Sequence, residues 1–282
     1  MSDPGKHKFP LRVIPWFTDG CSTFLANLFK WIPTYCGRRL TVLEFGGGNS
    51  TFFFLSKGLR VVSVESDENY IEFLSNTSRN TGYSVKVYDD SSEYLMSNSH
   101  TDLSIVFAQN LTDVPEFIGS IRADIIVNDG ISRREVLEKI IQIKPKSIIV
   151  LDNVEYSANW GRLERSSAKP DLIKVYRSFL RSKYWKNYIF EQSEGRDGRG
   201  STDKTGWESP HRWMSAVCWP TEHFFNDLMI THLGFPVVNQ LGQGDEDIKS
   251  LDERCPFDWA TMKWCREPFP EELDLKLDRD FN

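Results

Sequence analysis

Cysteine is scarce in this 282-residue chain: Cys21, Cys36, Cys218, Cys255 and Cys265 are odd in number and never spaced as CxxC. That pattern excludes a zinc knuckle or a disulfide framework, and it suits a reducing compartment. No run of about 18 apolar residues occurs, so no membrane-spanning helix is expected. The opening MSDPGKHKFPLRVIPW has no unbroken apolar stretch of the kind a signal peptide needs, and a cytoplasmic location is the expectation. A basic excess is missing too. Net charge is −6, and residues 243–282 hold 12 acidic against 6 basic side chains, while the remaining 28 acids and 28 bases cancel. A nucleic-acid partner is therefore not expected. There is no internal repeat and no low-complexity tract.

What is present is alternation. With 40 % hydrophobic and 26 % charged residues the chain can bury a proper core. CSTFLANLFKWI (21–32) carries Phe24, Leu25, Leu28, Phe29 and Ile32 at helical spacing, with a turn expected through Pro33 and Gly37. LTVLEF then reads as a strand, GNSTFFFLSKG as a helix ended by Gly58, LRVVSVES as a strand, DENYIEFLSNTSRN as a helix and YSVKVYDD as a third strand. LSIVFAQ reads as an extra strand inside an insertion at 98–121. The rhythm resumes with ADIIVNDG, SRREVLEKIIQI, KSIIVLDN, DLIKVYRSFLRSKY, KNYIFEQ and HRWMSAVCW.

Short apolar strands separated by helices predict an α/β fold, a doubly wound and mostly parallel sheet. The expected division is a helical lead-in at 1–37, a main domain at 38–219 and an acidic, aromatic-rich extension at 220–282.

Residues 41–70, TVLEFGGGNSTFFFLSKGLRVVSVESDENY, put three glycines directly after a buried-looking strand. Glycines there cost backbone entropy and add no packing, so a close approach to that backbone is implied. In a doubly wound sheet ligands bind at the carboxyl ends of the strands, and a turn feeding a helix N-terminus offers N–H groups to an anionic ligand group. A dinucleotide needs GxGxxG, which Gly46, Gly48 and Thr51 meet only loosely. S-adenosylmethionine (SAM) needs a similar cradle for its methionine end. Glu65, ending the second strand, suits the ribose of either ligand.

Glu44-Phe45-Gly46-Gly47-Gly48 is an E/D-x-G-x-G signature, and on it the chain resembles the class I SAM-dependent methyltransferases from about residue 38 to 219. The resemblance implies a Rossmann-like sheet whose last strand, HRWMSAVCW, is antiparallel. It also implies cofactor contacts along Glu44, Gly46, Gly47, Gly48, Ser50 and Thr51, with Glu65 on the ribose, and with Asp89, Asp90 and Asp129 completing the cofactor site. The D/N-P-P-Y/F of amino-group methylases is missing from Asn128-Asp129-Gly130-Ile131, and no cysteine stands near for a cytosine C5 enzyme.

A weaker resemblance runs to the divalent-cation-dependent O-methyltransferases, which implies Mg²⁺ on Asp129, Asp152 and Asn153. That family's base lysine is Ser132 here, with Arg133 beside it, a poor base but a good clamp for an anionic group. The catalytic candidates are Asp129, Arg133 and His211. The loop at 192–211 is long enough for a lid, with Trp160 and Trp207 as rings that could stack on a substrate. Counted over 130–134, 153–169 and 192–211, the expected rim holds 8 basic and 6 acidic residues, which permits an acidic acceptor.

The expected function is O-methylation of a small-molecule or glycan-like hydroxyl. A non-catalytic binding module and a nicotinamide-dinucleotide enzyme are the alternatives.

Overall fold

The computed structural model describes residues 17–97, 100–108, 114–130, 132–154, 170–192, 213–222, 257–258 and 263–264. Helix α1 (Asp19–Cys36) continues past Pro33 instead of turning there, and Gly37 closes it in the left-handed region at φ 62°. The chain then carries a mixed sheet of eight strands, mostly parallel, interleaved with helices. It falls into two compact units, one holding the described part of Phe29–Pro145, the other that of Phe17–Leu28 and Lys146–Asp280.

The first unit runs β1 (Thr41–Phe45), α2 (Asn49–Ser56), β2 (Arg60–Glu65), α3 (Glu68–Asn80), β3 (Val85–Tyr88), α4 (Ser91–Met96), β4 (Leu103–Phe107), α5 (Val114–Ser120), β5 (Ile125–Asn128) and α6 (Arg133–Ile143). Its strands lie in the order β3-β4-β2-β1-β5, all parallel. The apolar side chains of β1, β2 and β5 are buried, as parallel strands covered on both faces require, and each fully buried Val, Ile or Leu contributes roughly 1.5–3 kcal/mol. Phe29 packs against Phe53 and Phe54 of α2 at ring-centroid distances of 6.2 and 5.9 Å.

The extra strand expected at LSIVF is present as β4, and its place is what the sequence did not show: it lies between β2 and β3, and β3 is pushed to the edge. The burial explains the order, because β4 is buried at four of its five positions, whereas β3 buries only Tyr88 and leaves Lys86 exposed. Helix α5 was not anticipated.

The second unit holds β6 (Ile148–Asp152), α7 (Pro170–Arg181), β7 (Trp185–Gln192) and β8 (Trp213–Pro220) in the strand order β6-β8-β7. Strand β8 is antiparallel to both neighbours, as expected for HRWMSAVCW. Phe24 stacks on Tyr188 at 5.8 Å, Tyr188 on Trp219 at 5.4 Å and Phe179 on Trp185 at 5.0 Å. A short antiparallel pair, β9 (Phe257–Asp258) and β10 (Lys263–Trp264), also belongs to this unit. Among the described residues no helix is long and apolar enough to cross a membrane.

Candidate functional site

The exits of four strands are held level in the first unit. Phe45 pairs with Val64 on one side and with Asn128 on the other, and Glu65 pairs with Phe107. The ladder continues one step beyond the strands through Gly46 N–H to Val64 O (3.1 Å) and Asp129 N–H to Phe45 O (3.0 Å). The order in which strands are added reverses between β1 and β5, with β2 on the far side, so the topological switch point of the sheet, where ligands bind in such folds, falls where the glycine turn leaves β1.

The three glycines do three different things. Gly46 has φ 91°, and a Cβ on it would lie 2.5 Å from Gly130 Cα and 2.7 Å from Gly130 N. Two strand exits thus pack backbone on backbone. At Gly47 a Cβ would meet Leu74 Cδ1 at 2.4 Å and Ser63 Oγ at 2.6 Å, so its absence brings α3 and β2 close to the turn. Gly48 is different: its backbone is extended and nothing lies within 4 Å of a built Cβ. Only this third glycine faces open space, immediately ahead of the N-terminus of α2.

Glu44 is fully buried in β1. Burial pushes its pKa up to about 8; the Ser50 and Thr51 hydroxyls oppose the rise, and the charges of Asp129 and Glu65 add to it. Thr51 Oγ1 donates to Glu44 Oε2, and Glu44 Oε1 has no hydrogen-bond partner. The same Thr51 hydroxyl accepts the Gly48 N–H at 3.0 Å, while Thr51 N–H donates to Gly48 O at 3.1 Å. One hydroxyl therefore ties the buried acid to the turn. Thr51→Val is expected to lower stability by about 1–3 kcal/mol in equilibrium denaturation, with Thr51→Ser close to wild type; a valine variant as stable as wild type would contradict the role.

Glu65 closes the other side of the turn. Its Oε2 accepts the Gly47 N–H at 3.1 Å, and its Oε1 accepts the N–H groups of Ser66 (2.7 Å) and Asp67 (3.2 Å). Three backbone donors thus fix the carboxylate at the switch point. Ser63, in register beside Glu44, is fully buried and its Oγ has no hydrogen-bond partner. Sequence reasoning passed over Ser63 and gave Gly130 no role of its own; a lone serine in an apolar strand and a glycine at a strand exit were the signals.

Asp129 and Arg133 are joined by an ion pair of 2.7 Å, one turn apart at the start of α6. Its opening is tied to β5 by Asn128 Nδ2, which donates to Arg133 O at 3.0 Å. Asp129 lies near enough to Glu44 for its charge to act on it.

Asp89 and Asp90 are placed elsewhere. They follow β3, the edge strand, and the strand beside β2 is β4, so the third exit at this switch point belongs to Phe107 and Ala108. Asp90 caps α4, accepting from Glu93 N–H at 2.8 Å and Ser92 Oγ at 2.6 Å, and these bonds, the serine's first, lower its pKa. Asp89 N–H donates to Glu93 Oε2.

The metal trio fares no better. Asp129 carries its ion pair with Arg133 in the first unit. In the second, Asp152 is 4 % exposed and accepts from Ser215 Oγ at 3.0 Å, and Ser215 in turn accepts the Thr18 N–H at 3.0 Å. Asp152 O takes the Tyr176 hydroxyl at 2.9 Å, and Asn153 sits in the left-handed region at φ 54°. Asp152 is thus engaged in anchoring the start of α1 to the β6–β8 pair. Among the described residues no group of three or more His, Cys, Asp or Glu is arranged to hold a metal. These residues do not fit Mg²⁺. Cys21 and Cys218 are buried and free, and burial raises both thiols, making them poor nucleophiles. His211, Trp160, Trp207 and the loop 193–212 lie outside the described residues.

A mostly parallel eight-stranded sheet, a final antiparallel strand and a glycine turn after the first strand of the alternating sheet are now in place. This is the α/β, doubly wound and mostly parallel sheet with an antiparallel strand that the sequence predicts. No family model matches the chain, and no curated protein does. Among solved structures the chain is similar to cofactor-bound Rv0187 from MTB, at 19 % identity over 73 % of this chain and 82 % of that one, TM-score 0.46. It is similar to SAH-bound methyltransferase PaMTH1 of Podospora anserina at 9 % identity over 72 % and 82 %, TM-score 0.41. With WbdD it shares 14 % identity over 71 % of this chain and 40 % of that one, TM-score 0.39. At these values the likenesses carry no argument, and the functional reading rests on the residues at the strand exits.

Proposed function

We propose that this chain is a SAM-dependent methyltransferase acting on a hydroxyl of a small-molecule or glycan-like acceptor. The observation that carries the reading is the meeting of Glu44, the open Gly48 turn and Glu65 at one switch point. Bound SAM supplies an electrophilic methyl on a sulfonium sulfur. The chain's own residues supply the rest. Gly48 leaves room for a ligand against the backbone, and the N-terminus of α2 offers N–H groups to a ligand carboxylate. Glu65, already held by three backbone N–H groups, shares its oxygens with the two ribose hydroxyls. Glu44 presents its partnerless oxygen to the amino end.

The acceptor side belongs to Asp129 and Arg133. Arg133 holds Asp129 fixed in direction, so that an acceptor hydroxyl can donate to it while aligned for in-line displacement. Asp129 would take the hydroxyl proton, and bound SAM would supply the methyl group to the acceptor oxygen. No metal enters this scheme.

Calorimetric titration tests it. SAM is expected to bind and NAD is not, and Glu65→Ala is expected to weaken SAM by about 10–100-fold, as befits the loss of charge-assisted hydrogen bonds. NAD binding in preference to SAM, or an alanine variant with unchanged affinity, would overturn the assignment.

A further inference from the structure

Glu44 is an unusual group to bury. Both its flanking charges are carboxylates, Glu65 from the exit of β2 and Asp129 from the exit of β5, and the guanidinium nearest Asp129 is engaged by it. From α2 it meets only the Ser50 and Thr51 hydroxyls. One oxygen is tied to Thr51 and the other stands without a hydrogen-bond partner in a fully buried position. Among the described residues no cation compensates a carboxylate so placed, and such a group takes up a proton rather than remain charged.

We propose that Glu44 is neutral while the turn is empty and releases its proton to solvent when the ammonium group of a bound methionine-derived nucleoside reaches its free oxygen, so that ligand binding and deprotonation are one event. This rests on the reading of the site given above and adds its regulation. Charge balances: the neutral carboxyl and the ammonium become an ion pair inside the site, and one proton passes to the buffer. The direction of the shift on Glu44, up to about 8, agrees with a proton held at neutral pH in the empty protein.

The consequence is a site that binds its ligand more tightly as pH rises towards 8. Ligands lacking the amino-acid end do not trigger the release, so they bind without the pH dependence.

Three measurements on the full chain decide it. Carboxyl-labelled glutamate observed by NMR in the ligand-free protein is expected to show one resonance, lost in Glu44→Gln, titrating near the value above; titration in the ordinary glutamate range overturns the proposal. Calorimetry with SAM and with S-adenosylhomocysteine at pH 6, 7 and 8, in two buffers of different ionisation heat, is expected to show affinity rising about tenfold per unit between 6 and 7, with close to one proton released. The same titration with 5′-methylthioadenosine, which has the sugar and base but no ammonium, is expected to be flat.

Equal SAM affinity at all three pH values with no proton release overturns the coupling and leaves the cofactor reading standing. Failure of SAM to bind at any pH overturns both.

Discussion

Replacing Gly46 by alanine is expected to leave no stably folded protein, whereas the same change at Gly48 is expected to alter the free energy of unfolding by no more than about 1 kcal/mol and to strike ligand affinity instead. The two residues stand two positions apart in one run, yet the surroundings differ completely. At Gly46 the backbone has φ 91°, which costs a side-chain-bearing residue about 1–3 kcal/mol, and the added carbon would lie 2.5 Å from Gly130 Cα. Backbone atoms are all that could give way there, and they are locked by the Asp129 N–H to Phe45 O bond. A loss above about 3 kcal/mol follows from the strain and the clash together.

Gly47→Ala falls between, because one of its two obstacles is the tip of a leucine side chain. At Gly48 the methyl enters space that the protein leaves empty. Denaturation of the three variants, followed by SAM titration of those that fold, reads the order directly. Equal destabilisation at Gly46 and Gly48 would show that the turn serves packing throughout.

The second large effect concerns pH. Glu44→Gln is expected to stabilise the ligand-free protein at pH 8 relative to wild type, by an amount of order 4–5 kcal/mol at most, and to bring little change at pH 4. The reasoning turns on proton counts. In the folded chain Glu44 holds its proton up to about 8, while in the unfolded chain it ionises around 4.5. Between those values the folded state carries the extra proton, so the free energy of unfolding falls as pH rises, and it levels off above the folded value. Glutamine has the shape of the protonated acid and no proton to lose, so the difference between variant and wild type isolates this one group. Urea denaturation of both proteins from pH 4 to pH 9 measures it. Parallel curves across that range would mean that Glu44 is ionised in the fold.

Much of this molecule was legible in the residues. The alternation of short Val/Ile/Leu runs with helices anticipates the parallel strands, because only strands covered on both faces are apolar at nearly every position. Glu44 lies in β1 and Glu65 ends β2, as the strand reading has them, and the antiparallel pairing of β8 was read from HRWMSAVCW. The order of β3 and β4 was not legible. Both segments are β-branched and of similar length, and which one enters the interior depends on how much apolar surface each presents to helices far away in sequence. Asp89 and Asp90 were misplaced for that reason.

The glycines were legible as a group but not one by one, since whether a missing side chain serves packing or a ligand is decided by Gly130, Leu74 and Ser63, none of them adjacent in the chain. Asp152 shows the same limit. Its position at a strand end suggested a ligand to a metal, while its carboxylate is taken by Ser215, a partner 63 residues away.

The most direct examination is a crystal structure of the chain soaked with S-adenosylhomocysteine. Density for the nucleoside lying over Gly48, its ribose hydroxyls on Glu65 and its amino group beside Glu44, is the expected result. An undisturbed turn with Glu65 still wholly on its backbone partners, at ligand concentrations that saturate known methyltransferases, would contradict the account.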